Sequence, residues 1–258
     1  MSYRLALIDE GMAAARTLAR QGRRSAAMDQ ARRLLNRPDL PLVAAADAHR
    51  VIAEILLEIE RFGAARRHLR AALALEPEHA RTNYLMGLAF ERDPHGDDER
   101  AARRFRKASR LVPANAAYRA AFGRAAVRSN RVNRGVRELL AAADAAIKDA
   151  EVLGVVIEGL LETGRVKAAE RIIAKARFLC PGTGEVRRLG ERVRFEAARQ
   201  GQKRGSSTQD AGPAKEGAAR LLPFVHVVRS RPGGTMPLAN GRQDMLSRPR
   251  PHLKLADR

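Results

Sequence analysis

Tryptophan is absent from this sequence, and aromatic residues of every kind make up only 4% of it. A core must therefore be built from small aliphatic side chains, which suits close helix–helix packing. The dominance of Ala, Leu and Arg favours helix over strand. The single cysteine, Cys180, excludes an internal disulfide and a multi-cysteine zinc site. Between Leu179 and Pro181, at a predicted helix end, it reads as a buried, inert thiol, and a reducing cytoplasm is the expected compartment. No run approaches the ~18 apolar residues of a spanning helix, and Asp9 and Glu10 interrupt any signal-like apolar segment. No membrane span is expected.

Chemistry is equally scarce. No phosphate-cradling glycine loop is present; Gly182-Thr183-Gly184 is too short and reads as a turn between helices. The six histidines, His49, His68, His79, His95, His226 and His252, share no metal-ligand spacing. The run Asp93 to Asp98 with His95 lacks the ordered alternation of a calcium loop, and Asp97 or Asp98 is expected to cap the helix that follows. Ser109 and Ser129 have no base nearby in sequence. The expectation is a non-enzyme with no metal and no cofactor.

What the chain has in abundance is arginine. Among 49 basic residues 42 are Arg and 7 are Lys, and the formal charge is +20. Such a balance raises nucleic acid as a partner, and the Arg fork suits phosphate. The charges are spread along every predicted helix rather than gathered in one stripe, which fits a compositional bias.

A repeat organises the first two hundred residues. Pro77, Pro113 and Pro181 each end an Ala/Leu/Arg-rich helical run, at intervals of 113 − 77 = 36 and 181 − 113 = 68 residues. The second interval is twice 34, and the first is 34 plus a two-residue insertion visible at Asp93–Asp98. Proline stops a helix because it lacks the donor and clashes with the preceding turn. The clearest copy has Met86-Gly87 and Phe90, then Ala101, Phe105 and Pro113. Around it stand Ile52-Ala53, Leu56, Ala65, Leu69 and Pro77; Phe122-Gly123, Ala126, Gly135, Leu139 and Ile147; and Val156-Ile157, Leu160, Ala169, Ile173 and Pro181. A degenerate first copy has Ala14-Ala15, Leu18, Ala27 and Ala31. Small residues at fixed places let helices approach; larger ones fill the space between repeats. Gly22-Arg23-Arg24, Arg61-Phe62-Gly63 and Gly164-Arg165 mark the turns.

This pattern resembles the tetratricopeptide repeat family over about residues 5 to 181. The copies are divergent: where the family has its first aromatic, this chain has Gly11, His49, Asn83, Arg119 and Leu153. The resemblance implies an all-α fold, a right-handed α-solenoid of helix-turn-helix repeats, with a concave surface made by the first helix of each pair. About five helix pairs are expected, then a capping helix over 184–200 with Val186, Leu189, Val193 and Ala197 on one stripe.

Composition shifts at Gly201. Residues 201–258 hold 11 basic and 4 acidic residues with much Gly, Ser and Pro, a composition expected to be disordered. The division is thus a helical repeat domain over 1–200 and a disordered basic tail over 201–258. An apolar island at 221–228, Leu221 to Val228, could act as a short docking motif; Arg248-Pro249-Arg250-Pro251 reads as solvated linker.

The expected function is a non-catalytic protein–protein interaction scaffold that binds peptide segments in a concave groove. The alternative is an RNA- or ribosome-associated basic repeat protein. Stepping by the repeat length aligns Glu54, Leu88, Arg124 and Glu158; Glu58, Arg92, Arg128 and Glu162; and Arg50, Tyr84, Ala120 and Gly154 on successive first helices, with Arg81 on the face of Tyr84. The groove centre is then basic with one aromatic. Arg81, Tyr84, Arg92, Arg124 and Arg128 are the candidate partner-binding residues, and an acidic or C-terminal carboxylate-bearing peptide is the expected ligand. Glu58 with Arg92 and Arg128 with Glu162 could equally be resident pairs.

Overall fold

The structure is a computed structural model that describes residues 2–209, with side chains described for 6–201. Every regular element among the described residues is an α-helix. They form five antiparallel pairs: α1 (Ser2–Arg20) with α2 (Arg24–Leu35), α3 (Leu42–Glu58) with α4 (Phe62–Leu75), α5 (Ala80–Glu91) with α6 (Asp98–Leu111), α7 (Ala116–Arg128) with α8 (Val132–Ala145), and α9 (Ala150–Glu162) with α10 (Val166–Leu179). A final helix, α11 (Gly184–Gln209), follows. The solenoid read from the sequence is the architecture found. The apolar island at 221–228, the Arg-Pro run and the tail beyond residue 209 lie outside the described residues; residues 201–209, expected to be disordered, are helical.

Helix α11 runs past the end expected for it at residue 200. Gly201 costs roughly 1 kcal/mol in a helix interior. A helix already nucleated by the stripe Val186, Leu189 and Val193 gains one hydrogen bond per added residue, and Gln202, Lys203 and Arg204 all favour continuation.

Four of the five within-pair turns share one geometry. Gly22, Glu60, Asn130 and Gly164 have φ of 74°, 59°, 62° and 70°. The arginine that follows each donates its backbone N–H five residues back: Arg23 to Leu18, Arg61 to Leu56, Arg131 to Ala126, and Arg165 to Leu160. The left-handed residue closes the preceding helix. The fifth turn holds the insertion. There Asp93 accepts from Arg66 Nη1 at 2.6 Å and from the backbone N–H of His95 at 3.0 Å. The Arg66 guanidinium holds the Asp93 carboxyl below the usual carboxylate range. Asp97 caps α6 by accepting from Arg100 N–H at 3.0 Å. The Asp-rich loop is thus engaged in turn and cap chemistry.

Neighbouring odd-numbered helices touch one another within each half, so they form an inner layer; the even-numbered helices lie outside it. Helices α5 and α7 meet chiefly through α6. The apolar core follows this division: one cluster spans α1–α5, another α7–α11, and a third of Ala101, Ala102, Phe105, Ala121, Phe122, Ala125 and Ala126 joins them. Close approach is visible where glycine was expected to allow it. A Cβ on Gly87 would fall 2.6 Å from the Phe105 ring, and one on Gly135 2.6 Å from the carbonyl oxygen of Gly123. Ala53, Ala65, Ala101 and Ala169 are fully buried at the matching places.

The position that lacks the family's first aromatic is also accounted for. His49 and His68 face each other across α3 and α4, with Nδ1 atoms 3.0 Å apart. One repeat on, Arg104 donates to Asn83 at 3.3 Å. The next repeat places Arg119 Nε 3.8 Å from Glu138, and in the last Leu153 and Ile172 share one apolar cluster. A cross-helix pair replaces the aromatic, and its chemistry changes from repeat to repeat. Cys180 departs from its expectation: at the C-terminal cap of α10 it is only half-buried, because the chain turns there into Pro181 and Gly182.

Candidate partner-binding face

The expected site residues all sit on α5 and α7 or at their ends, and the structure occupies most of them. Arg81 on α5 donates through Nε to Glu54 at 2.8 Å. Arg124 lies between two carboxylates, with Nε 3.0 Å from Glu91 and Nη1 2.6 Å from Glu158. Arg128 holds Glu162 through Nε and Nη2, the latter at 2.7 Å, and its Nη1 is 3.5 Å from Glu91. The Glu162 hydrogen bonds raise the pKa of Arg128 further. Arg92, at the C-terminal cap of α5, is exposed and has no ion pair among the described residues. Glu58, the resident partner expected for it, pairs instead with Arg24.

Tyr84 is half-buried. Its ring centroid is 5.5 Å from that of Phe105 and 4.8 Å from that of Tyr118. Burial, with Glu91 adding to it, pushes the Tyr84 hydroxyl above its usual pKa. The side chain wedges the junction of α5, α6 and α7. Arg50, aligned with Tyr84 on the groove face by repeat spacing, is buried instead, where Asp47, Glu76 and the Thr82 hydroxyl surround it. Desolvation of a guanidinium is tolerable there because carboxylates and a hydroxyl meet it.

The inner layer therefore carries a lattice of alternating charge. It runs from Glu91 to Arg124 to Glu158 to Arg192, with Arg192 Nη1 3.2 Å from Glu158. Arg124 with Glu158, Arg128 with Glu162 and Arg192 with Glu158 are each 34 residues apart, one repeat length, and Arg24, at the start of α2, reaches Glu58 over the same separation. Glu91 is the least exposed member, its side chain 3% accessible, and its Oε2 is buried without a partner.

Beside this lattice, α7, α9 and α11 border a cleft of about 870 Å³. Leu161 and Phe195 supply its apolar surface; Arg128, Arg192, Glu158, Glu162, Glu191 and Glu196 supply its charges. Phe195 is 72% exposed. Sequence reading passed over it, although the signal was present: Phe195 falls opposite the stripe of Val186, Leu189 and Val193 on the same helix.

No family model matches the chain, and no curated protein matches it. Solved structures do. Pseudomonas aeruginosa pilF superposes with a TM-score of 0.58 at 18% identity, covering 78% of this chain and 91% of its own. The protein TTC0263 of Thermus thermophilus, a thermophilic TPR protein, gives 0.57 at 18% identity, covering 73% and 99%. YrrB, described as a TPR protein with an unusual peptide-binding site, gives 0.52 at 15% identity, covering 70% and 90%. The fold is a tetratricopeptide-repeat solenoid. In those terms the odd-numbered helices are the first helices of the five TPR-like pairs, α11 closes the array, and the cleft lies on the inner face of the last repeats. No helix among the described residues is long and apolar enough to cross a membrane.

Proposed function

We propose that this protein is a non-catalytic interaction scaffold that holds a peptide segment of a partner protein against its inner face. The observation that carries the reading is the cleft beside α11, where Phe195 and Leu161 are presented to solvent inside a frame of charges. Apolar surface rimmed by polar residues marks protein interaction sites, and aromatic residues are enriched among their anchors. The peptide-binding site described for YrrB supports a peptide ligand for this fold.

The geometry revises the chemistry expected of that peptide. Arg81, Arg124 and Arg128 already hold carboxylates, so an acidic ligand would have to displace Glu54, Glu158 or Glu162 from them. The cleft lining has four carboxylates against two guanidiniums. It suits an apolar side chain flanked by cationic ones. Arg92, without an ion pair among the described residues, remains the open cation of the candidate set and the place where an acidic group would dock.

A displayed peptide library selected on the full chain tests the proposal. Enriched peptides should share an apolar residue beside Lys or Arg and should lose at least tenfold in affinity on Phe195→Ala. Arg92→Glu with Arg128→Glu should weaken them less. Binding indifferent to Phe195→Ala would remove the cleft as the site.

A further inference from the structure

The outer layer differs from the inner one in how its charge is disposed. Helix α6 carries six basic residues in 14, with Asp98 and Glu99 confined to its first turn. Arg100 pairs with Asp97, Arg103 with Glu99, and Arg104 bonds to Asn83. That leaves Arg106, Lys107 and Arg110 with no carboxylate partner among the described residues. Across from them on α8, Arg134 and Arg137 have none either. The Arg134 guanidinium stacks over Phe122, 5.2 Å from its centroid. The Nε atoms of Arg106 and Arg134 are buried and unpartnered. Arg131 at the start of α8 joins the group, and the Glu99 carboxylate it engages is shared with Arg103. The arginines lie close enough that Arg110, Arg134 and Arg131 lower the pKa of Arg106. The even spread of charge expected from the sequence thus fails at α6 and α8.

Like charges held together cost energy unless an anion joins them. On the inner face nearly every arginine named above has found a carboxylate; here Arg106, Lys107, Arg110, Arg134 and Arg137 have none among the described residues.

We infer that Arg106, Arg110, Arg131 and Arg134, with Lys107 and Arg137 beside them, form a site for the phosphodiester backbone of a nucleic acid on the outer face of α6 and α8. Arginine in place of lysine favours phosphate, whose oxygens match the fork bidentately. Neither Arg106 nor Arg134 has a carboxylate among the described residues, so the outward guanidinium N–H groups are the donors that phosphate oxygens would meet. The site is on the layer opposite the peptide cleft, so the two could be filled together. The inference is independent of the peptide reading.

The test is binding of the full chain to a labelled 20-nucleotide single-stranded RNA of mixed sequence and to a 20-base-pair DNA duplex. Dissociation constants are measured by fluorescence anisotropy from low to physiological salt. Arg106→Glu with Arg110→Glu should weaken binding at least tenfold, and Arg106→Gln with Arg110→Gln should do so to a lesser degree. Losing two phosphate contacts should flatten the salt dependence by about 1.4 to 1.8 in slope. A control with the same charge change, Arg33→Glu with Arg171→Glu, should leave most of the affinity intact. Circular dichroism confirms that each variant is folded. The RNA and DNA arms separate the two sources of the backbone. Absence of binding by the unaltered chain overturns the inference. So does equal weakening by the control pair, which would reduce the effect to net charge, or equal competition by polyglutamate, which would make the ligand an acidic protein segment.

Discussion

The second and fifth repeats meet the same structural demand with opposite chemistry. Between the two helices of the second repeat stand His49 and His68, half-buried and nitrogen to nitrogen. At the equivalent places in the fifth stand Leu153 and Ile172, within a continuous apolar cluster. The third and fourth repeats are intermediate, with Asn83–Arg104 and Arg119–Glu138. A helix pair of this fold needs contact at that point, not an aromatic ring. Where the contact is apolar it is indifferent to solvent conditions; where it is two imidazoles it depends on their protonation. A second contrast runs through the core. The third repeat sets Gly87 against Phe105, whereas the second uses Ala53 and Leu69 at the same places and the fifth Ile157 and Ile173, all buried. Between the second and third repeats, volume lost on one helix returns on the other, as close packing requires.

The largest effect should come from breaking that volume exchange. Phe105→Ala should destabilise the solenoid by about 3–5 kcal/mol, by lost transfer energy and the cavity left behind. Gly87→Ala should also destabilise, because its Cβ meets the Phe105 ring at 2.6 Å. Gly87→Ala combined with Phe105→Leu rebuilds the second repeat's solution inside the third. It should be more stable than the sum of the two single changes implies, as chemical denaturation of the four proteins would show.

Next comes acidity. Burial lowers the pKa of both His49 and His68 in the fold, with His49, Arg32 and Arg67 adding to the effect on His68. The unfolded chain then binds protons more readily below about pH 6.5, the ordinary histidine value. Their neutral pair contributes fully above that pH and progressively less as pH falls through the lowered folded values. Melting temperature should therefore drop from pH 7.5 to pH 5. His49→Leu with His68→Ile, which copies the fifth repeat, should remove most of the drop. A residue should remain from His79, also lowered by burial. An unchanged pH profile in the double variant would assign the acid sensitivity elsewhere.

A smaller effect is expected at Glu91. Leu57, Val127 and Leu161 occupy its place in neighbouring repeats. Glu91→Leu should change stability by no more than about 1 kcal/mol in either direction, since the lost ion pair is offset by relieving a desolvated carboxylate whose Oε2 has no partner. Arg124 and Arg128 keep Glu158 and Glu162, so neither guanidinium is stranded. The smallest effect is at Glu60, whose φ of 59° glycine adopts without strain, as Gly22 and Gly164 do in their own turns. Glu60→Gly should stabilise by roughly 0.5–1 kcal/mol or be neutral, since relief of left-handed strain is offset by added freedom of the unfolded chain.

Periodicity made the helices and the repeat legible, because a period of 34 with small residues and prolines at fixed places leaves little choice of fold. The insertion at 93–98 was visible for the same reason. The candidate site was less legible. Repeat spacing placed Arg124 and Arg128 correctly on one face and paired Arg128 with Glu162, but offered Arg92 as a partner of Glu58, which lies with Arg24 one repeat earlier. A period says that charges recur at one repeat length; it does not say in which direction along the array each side chain leans. Arg50 was misplaced because spacing locates a backbone position and cannot foresee that Asp47 and Glu76 draw the side chain inward. The Arg106 cluster escaped notice because its members come from two helices, and only folding sets Arg134 beside Arg106.

The repeat-length ion pairs give the inner wall a second kind of stiffness. Apolar clusters hold each half together, but the rungs Arg124–Glu158 and Arg192–Glu158 are partly exposed links between successive inner helices. Such links contribute about 0–1 kcal/mol each and fade as the screening length shortens from ~8 Å at physiological salt to ~3 Å at 1 M. The molecule is thus a spring whose coils are covalently and hydrophobically sound while its pitch is set in part by electrolyte. Raising the salt should loosen the pitch, and with it the width of the cleft beside Phe195, well before any helix melts.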